Sequence, residues 1–525
     1  MQSHRPKQKR RNSKMKLFWK KCHKWGGIFF TVFILMFCCT GIILNHQKFF
    51  SGYEVSRGWM PQRYQYKYWN NGIIKGTLQL TDGRILAYGN AGIWLTDSCF
   101  STLTSFNTGL AKGIENREIS NLIQQSDGSI WCAALFDLYL LQNNGQWQKY
   151  PLPDHNEQLS DITQRGDTLI ALSRSYIYQA VSPDYTFRQI QLPEPENYSR
   201  EETLFRMVWL MHSGELFGIT GKLIVDFLAI VLIILCFTGI IYWVLPPLIR
   251  RRKRKQINVK SHITLLRDSL KWHNRLGAYL IILTLLLSVT GMCLRAPLRT
   301  PLVKVKANPI PGSMLDSENA WHDKLRAIRW DDQLQTWLLG TSKGFYSIGS
   351  LDDIPHKMTH APAASSMGIN VFTPDPEYTN TWLIGSLSGF FRWNPESKVV
   401  TDYFTGKAVS GRSKPGSSTA VSGYSNHLQD SPIIFRRHDG ATDATGTSQL
   451  PPMPDELKNQ PMSLWNLCLE LHVGRFFSSL LGDLTQWFVF VSGLILSLVL
   501  ISGYIVYRKQ YKRRSIKHTF KQLKE

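Results

Sequence analysis

Four stretches of this 525-residue chain are continuously apolar: about 25–44, 223–245, 276–294 and 487–507. At roughly 20 residues each, they match the hydrocarbon thickness of a bilayer and predict four membrane helices. Between the first and second runs, and again between the third and fourth, the pattern changes. Short apolar segments of strand length alternate with Gly, Asn, Asp and Pro turn signals. The expected fold is a membrane α-helical bundle of two tandem hairpin repeats, plus all-β exported regions.

Along the chain this gives a basic N-terminus at 1–24, a first span at 25–48 and an exported β region at 49–205. A pre-helix and second span follow at 206–247, then a basic link at 248–272 and a third span at 273–296. A second exported β region at 297–464 precedes a pre-helix and fourth span at 465–507 and a basic tail at 508–525. The first run has a basic flank, as a signal peptide would, but lacks a small-x-small cleavage site and continues into Asn45-His46-Gln47.

The β regions repeat internally. Thr336-Trp-Leu-Leu-Gly340 followed by Gly344-Phe-Tyr recurs 45 residues later as Thr381-Trp-Leu-Ile-Gly385 followed by Gly389-Phe-Phe. Asp82-Gly-Arg-Ile-Leu recurs, also after 45 residues, as Asp127-Gly-Ser-Ile-Trp, and a weaker Gly166-Asp-Thr-Leu-Ile comes 39 further on. A period of about 40–50 residues built from short strands is the mark of propeller blades. Two or three blades per region leave two arrangements open: one composite propeller, or two small β-domains. Residues 409–431 and 440–461 are rich in Ser, Gly, Pro and Thr and read as loops.

The net charge of +23 would suit a nucleic-acid binder, but its placement excludes that. Residues 1–25, 250–260 and 508–525 hold +10, +7 and +7, so the remainder is close to neutral. Each basic stretch abuts an apolar run, which is the positive-inside pattern. Both termini and the short link are therefore expected in the cytoplasm and the β regions outside it.

Cysteines contribute little. Cys22, Cys38, Cys39, Cys236 and Cys293 lie in or beside spans and read as small apolar residues. Cys99 and Cys132 are candidates for pairing on no stronger ground than location. With no CxxCH motif, any haem would be held non-covalently.

The histidines are more telling. His23 and His273 each open an apolar run and each stand 17 residues before a Thr-Gly pair, Thr40-Gly41 and Thr290-Gly291. His212-Ser-Gly-Glu-Leu-Phe217 and His472-Val-Gly-Arg-Phe-Phe477 each precede another run. Ionisable residues at membrane depth are costly and usually functional. Interfacial solvation for the first two, and a packing motif for the second two, are the plain structural alternatives. Trp25, Trp243, Trp272 and Trp487 near span ends are routine interfacial aromatics. Asp226, just inside the second run, reads as interfacial.

The segment Lys21-Cys-His23-Lys-Trp-Gly-Gly27 with Thr40-Gly41, followed by Leu210-Met-His212-Ser-Gly-Glu-Leu-Phe-Gly218 and Thr238-Gly-Ile-Ile-Tyr-Trp243, resembles the PepSY-associated transmembrane family. The resemblance covers the spans and their flanks. It implies a bacterial inner-membrane protein, with a non-covalent haem b, one or two per chain, between the spans. It also implies reduction of a ferric siderophore or other ferric chelate on the periplasmic side. PepSY domains usual in that family are replaced here by propeller-like repeats.

Two neutral imidazoles from facing helices make a suitable ligand pair for an electron-transfer haem. His212 with His472 is the candidate outer pair, and His23 with His273 the inner pair, each set holding a haem iron. His46, some 34 Å along a helix from His23, lies at the outer face and is a substitute outer ligand. Arg295 is a candidate propionate partner. No nucleotide fingerprint or hydrolase triad order is evident, and the cytoplasmic parts are too short for a flavin domain, so the electron donor must be a separate, unknown protein. Three readings of function remain at this stage: a haem-dependent ferric-chelate reductase, a membrane-anchored sensor that binds a partner through the β regions, and a non-redox accessory to metal uptake.

Overall fold

The computed structural model describes residues 14–522 except 16, 364, 410–419, 429–430, 446 and 448–449. It divides into two compact units. One comprises residues up to 47, 200–316 and 465 onward; the other comprises 48–199 and 317–464.

The first unit is helical. Its principal helices are α1 (Gly27–Asn45), α2 (Leu204–Ser213), α3 (Gly218–Arg254), α4 (Lys260–Tyr279), α5 (Ile281–Cys293), α6 (Arg299–Lys304), α7 (Leu464–His472) and α8 (Thr485–Gln522). Three continuous helical segments are long and apolar enough to cross a membrane: Leu17–Asn45, Glu215–Arg254 and Arg475–Arg508. The expected fourth span is a pair, α4 and α5, bent by 67° at Leu280, so among the described residues the spans number three, or four if the pair counts as one. Composition explains the difference. α4 carries Lys260, Arg267, Asp268, Lys271 and Arg275, and the 13 residues of α5 alone reach only about 20 Å. Phe29, Val32 and Ile282 are more than two-thirds exposed on this unit, as expected of side chains that face lipid.

Small residues bring the helices close. Ser288 of α5 donates to the Gly493 carbonyl of α8 and contacts Ser497. Phe30, Ile34, Cys38, Ala229, Leu232, Cys236 and Leu500 form the apolar centre.

The second unit is a six-bladed ring, with three blades drawn from each β region. Five sheets have four antiparallel strands and the sixth has three described strands. The first strands of the blades are β1 (Gly76–Gln79), β2 (Ile119–Gln124), β3 (Leu159–Arg165), β4 (Leu325–Asp331), β5 (Val371–Pro374) and β6 (Val421–Ser425). Hydrogen bonds connect every neighbouring pair of blades. Tyr88 Oη donates to Asn121, Asn121 Nδ2 to Asp161, Arg329 Nη1 to Asp161, and Arg329 Nε to the Phe372 carbonyl. Asn370 Nδ2 donates to the Val421 carbonyl, and Thr77 bonds Ser425 at 2.6 Å, which closes the ring. The sequence left two arrangements open, and the composite propeller is the one observed.

The sixth blade corrects the loop assignment of 409–431 and 440–461, since Val421–Ser425 and Gly440–Thr442 are strands. Their Ser/Gly composition has a steric cause: a Cβ on Gly423 would lie 2.6 Å from the Ile74 carbonyl oxygen. Residues 410–419 of that assignment lie outside the described residues. All eight cysteines are free. Cys99 is exposed and Cys132 buried, so the suggested pairing is absent.

Candidate functional site: two pairs of imidazoles in the helical bundle

The His-x-Gly hexamers have a definite local structure. α2 ends at Ser213 and α7 at His472, and Gly214 and Gly474 follow in the left-handed region at φ 80° and 79°. Each then leads through a 3-10 turn, Glu215–Phe217 or Arg475–Phe477, toward a long helix. Glycine is needed twice over: for the positive φ, and because a Cβ on Gly214 would lie 2.3 Å from the Gly221 carbonyl oxygen. The hexamer thus fixes its histidine on the last turn of a short helix that packs against the bundle. His23 lies in a π-helical turn, Cys22–Gly26, ahead of α1. Such turns often occur at functional sites.

The structure brings both predicted pairs together. The His212 and His472 ring centroids are 6.2 Å apart, and those of His23 and His273 are 5.9 Å apart. A metal held about 2 Å from a nitrogen of each of two imidazoles separates their centroids by roughly 6 Å. Each pair joins the two halves of the chain. Among the described residues, no cluster of three or more His, Cys, Asp or Glu forms a metal site, so the donor sets are pairs.

Hydrogen bonds fix the tautomers (assigned here from the acceptors). Nδ1 of His472 lies 2.9 Å from Thr40 Oγ1, Nδ1 of His273 3.0 Å from Thr238 Oγ1, and Nδ1 of His212 3.1 Å from the Leu287 carbonyl oxygen and 3.2 Å from Thr290 Oγ1. Each of these hydroxyls already donates to a carbonyl one turn back in its own helix, at Met36, Ile234 and Leu286. Each oxygen therefore accepts from the imidazole Nδ1–H. The fourth, His23, places Nδ1 2.9 Å from the Val499 carbonyl, which also accepts from Ser502. All four histidines thus carry the proton on Nδ1 and leave the Nε2 lone pair available, the arrangement seen in metal-ligating histidine. Burial pushes the His212 pKa down to about 4. Burial, then the neighbouring His212, pushes that of His472 to about 3. Both are neutral at physiological pH.

A glycine faces each ring: Gly41 faces His472, Gly239 faces His273, Gly291 faces His212 and Gly503 faces His23. Each histidine therefore docks on a [Thr/Ser]-Gly step of another helix. The sequence had shown Thr40-Gly41 and Thr290-Gly291 but not which histidine each serves, and it had not singled out Ser502-Gly503 as the counterpart of Thr238-Gly239. The detectable signal was an offset. Gly218 and Gly482 share φ near 55° and stand 264 residues apart, as do Gly239 and Gly503. A Cβ on Gly291 would lie 2.9 Å from His212 Cε1. Gly291→Val is therefore expected to displace that imidazole while the helices still fold. The His212 ring signals in the NMR spectrum of histidine-labelled protein, compared with far-UV circular dichroism, check this.

His46 does not join either pair. Its Nε2 lies 2.7 Å from Asp226 Oδ2, and Asn45 Nδ2 donates to Asp226 Oδ1 at 3.0 Å. Asp226 is buried rather than interfacially solvated, and these two partners account for it. Arg295 lines a cavity of about 420 Å³ with Arg299 and Lys304. Burial, with like charge from Arg475 and Arg299, pushes its pKa down to about 10. Its positive charge also acts on His472.

A duplicated membrane bundle with two paired-imidazole sites, carried in one chain with a six-bladed β-propeller, is the class these features define. The chain belongs to the PepSY-associated TM region family, whose model matches it twice, over residues 2–245 and 195–510. No curated protein matches the chain. Among solved structures it is similar to the extracellular domain of a candidate one-component system from B. thetaiotaomicron, at 8% identity and TM-score 0.35. That match covers 72% of this chain and 40% of the other, so the chain spans well under half its length. Virginiamycin B lyase from Staphylococcus aureus is similar at 9% identity and TM-score 0.32, covering 70% of this chain and 78% of the lyase. Likenesses this slight carry no functional argument.

Proposed function

We propose that this protein is an inner-membrane electron carrier that binds two b-type haems and reduces a ferric siderophore or other ferric chelate on the periplasmic side. The observation that carries this reading is the repeated imidazole geometry: two neutral pairs, each with anchored Nδ1 and an available Nε2. When bound, haem supplies a one-electron couple at each pair. His23 and His273 hold the inner position, on the side of the basic termini, and His212 and His472 the outer. Thr40, whose oxygen serves His472, is 17 residues from His23, about 26 Å along the helix. The two sites thus lie toward opposite faces of a bilayer. The Thr hydroxyls and the Val499 carbonyl keep the rings oriented, and the glycines keep their flanks open. Arg295 supplies positive charge beside the outer pair, where a haem carboxylate can be neutralised. The basic stretches orient the chain with both termini inside, where a separate donor delivers electrons.

The test uses full-length protein reduced anaerobically. Addition of ferric citrate or a ferric trihydroxamate is expected to return the reduced Soret band to its oxidised position, with stoichiometric ferrous iron trapped by a chromogenic chelator. A reduced band that persists with every chelate would remove the reductase reading and leave the propeller as a partner-binding sensor.

A further inference from the structure

The two halves of the bundle differ in several places, and one of the differences has a chemical direction. The first and third apolar runs correspond with an offset of 250 residues, fixed by His23 and His273 and by Thr40 and Thr290. The long helices α3 and α8 correspond with an offset of 264, fixed by Gly218 with Gly482 and Gly239 with Gly503. By the same offsets, Asn45, His46 and Asp226 correspond to Arg295, Ala296 and Phe490. In the first half Asn45 and His46 both bond Asp226. In the second half the imidazole and the carboxylate are both gone, and a pocket of about 420 Å³ stands open, lined by Arg295, Ala296, Arg299, Val303, Lys304 and Gln486.

This pocket has an excess of positive charge. No acid lines it. Among the described residues, no carboxylate is ion-paired with Arg295, Arg299 or Lys304. Arg299 stacks at 5.4 Å on Phe205, and the nearby Glu470 is engaged by Arg475 at 3.0 Å. The second half also carries four residues that the first lacks. Between the 3-10 turn and the helix, Phe217 runs directly into Gly218, whereas Ser478–Leu481 separates Phe477 from Gly482. Leu480 in that insertion is 82% exposed and Leu484 just after it is 67% exposed, two residues before Gln486. Within the pocket wall Val303 is 44% exposed. Cations next to bare aliphatic side chains at the end of a membrane bundle match an amphiphile with an anionic head.

We propose that this pocket binds the phosphate headgroup of an anionic phospholipid, with the acyl chains against Leu480 and Leu484. Arg299 and Lys304, which have no part in the proposed haem sites, are its cationic contacts. Its two outer cations have no counterpart in the first half, where the same offset of 250 puts Phe49 and Glu54 in place of Arg299 and Lys304. The inference does not depend on haem.

Full-length protein in phosphatidylcholine nanodiscs, with and without phosphatidylglycerol, tests it. Phosphatidylglycerol is expected to raise the thermal unfolding midpoint of the wild type, and native mass spectrometry is expected to show one retained anionic lipid. Each basic residue near an anionic surface is worth about fivefold in affinity, so Arg299→Gln with Lys304→Gln should weaken retention roughly thirtyfold. Arg299→Lys with Lys304→Arg, which keeps the charge, should retain the lipid, so a folding failure in the first variant cannot pass for support. Equal midpoints in the two lipids for the wild type, or undiminished retention by the neutral variant, would overturn the proposal. Inorganic phosphate alone reproducing the full rise at millimolar concentration would also overturn the lipid assignment.

Discussion

On the proposed function, replacing His212 and His472 together by alanine is expected to remove one of two haems from the purified protein, and replacing His23 and His273 the other. The wild type should give about two equivalents per chain in a pyridine haemochrome assay, each double variant one, and the fourfold variant none. The expectation follows from tautomer chemistry. Thr40, Thr238 and Thr290 use their hydroxyl protons within their own helices, so each presents an oxygen that holds an imidazole as Nδ1–H. An imidazole so held has one vacant lone pair, on Nε2. In a packing motif with no ligand, nothing would require four such rings in pairs about 6 Å apart, each with a glycine against it. Single variants at one member would leave one imidazole to hold the proposed haem and should show weaker haem retention and a shifted reduced spectrum. Colourless wild-type protein after expression with ample haem, or unchanged stoichiometry in both double variants, would end the haem reading.

The pairing of histidines was legible in the sequence because duplication copies spacing: 17 residues from His23 to Thr40 and from His273 to Thr290, and a repeated hexamer around His212 and His472. What each ring docks on was not legible. Seventeen residues on one helix is about 26 Å, so the Thr-Gly pair that marks His23 in sequence cannot touch it. The actual contacts cross between helices: Thr40-Gly41 serves His472, and Ser502-Gly503 serves His23. Serine in place of threonine, in a run that also holds a second Ser-Gly step at Ser492-Gly493, hid the last of these. His46 illustrates the opposite failure. Its depth on the first helix was readable, but its partner Asp226 lies 180 residues away on another helix, and only packing reveals that the two are hydrogen-bonded. In the β regions the 45-residue period exposed the blades whose strands are aromatic and aliphatic. It missed the sixth, where close backbone approach at Gly423 selects small residues and mimics loop composition.

Asp161→Ala is expected to destabilise the propeller by about 3–5 kcal/mol, the usual cost of leaving the partner of a buried ion pair uncompensated. Asp161 is 3% exposed on β3, the last blade of the first β region. One of its carboxylate oxygens accepts from Arg329 Nη1 and, at 3.0 Å, from the backbone N–H of Ile328, both on the first blade of the second region. The other accepts from Asn121 and from the N–H of Ile162. A single carboxylate thus joins three consecutive blades across the point where the chain leaves the ring between residues 199 and 317. Arg329 goes on to the Phe372 carbonyl of the next blade, so removing the anion frees a cation at a four-blade seam. Asp161→Asn keeps the shape and part of the hydrogen bonding, and its loss should be smaller. Thermal unfolding followed by near-UV circular dichroism, in which Trp131, Trp337 and Trp393 report on buried blade packing, checks the order wild type, Asn, Ala. Equal stability of the alanine variant and the wild type would mean that the seam is held by apolar contacts between blades alone, chiefly those of Ile170, Leu172, Ile328 and Leu339. Absorption from the proposed haems should be unchanged in either variant, because Asp161 and the four imidazoles belong to different compact units.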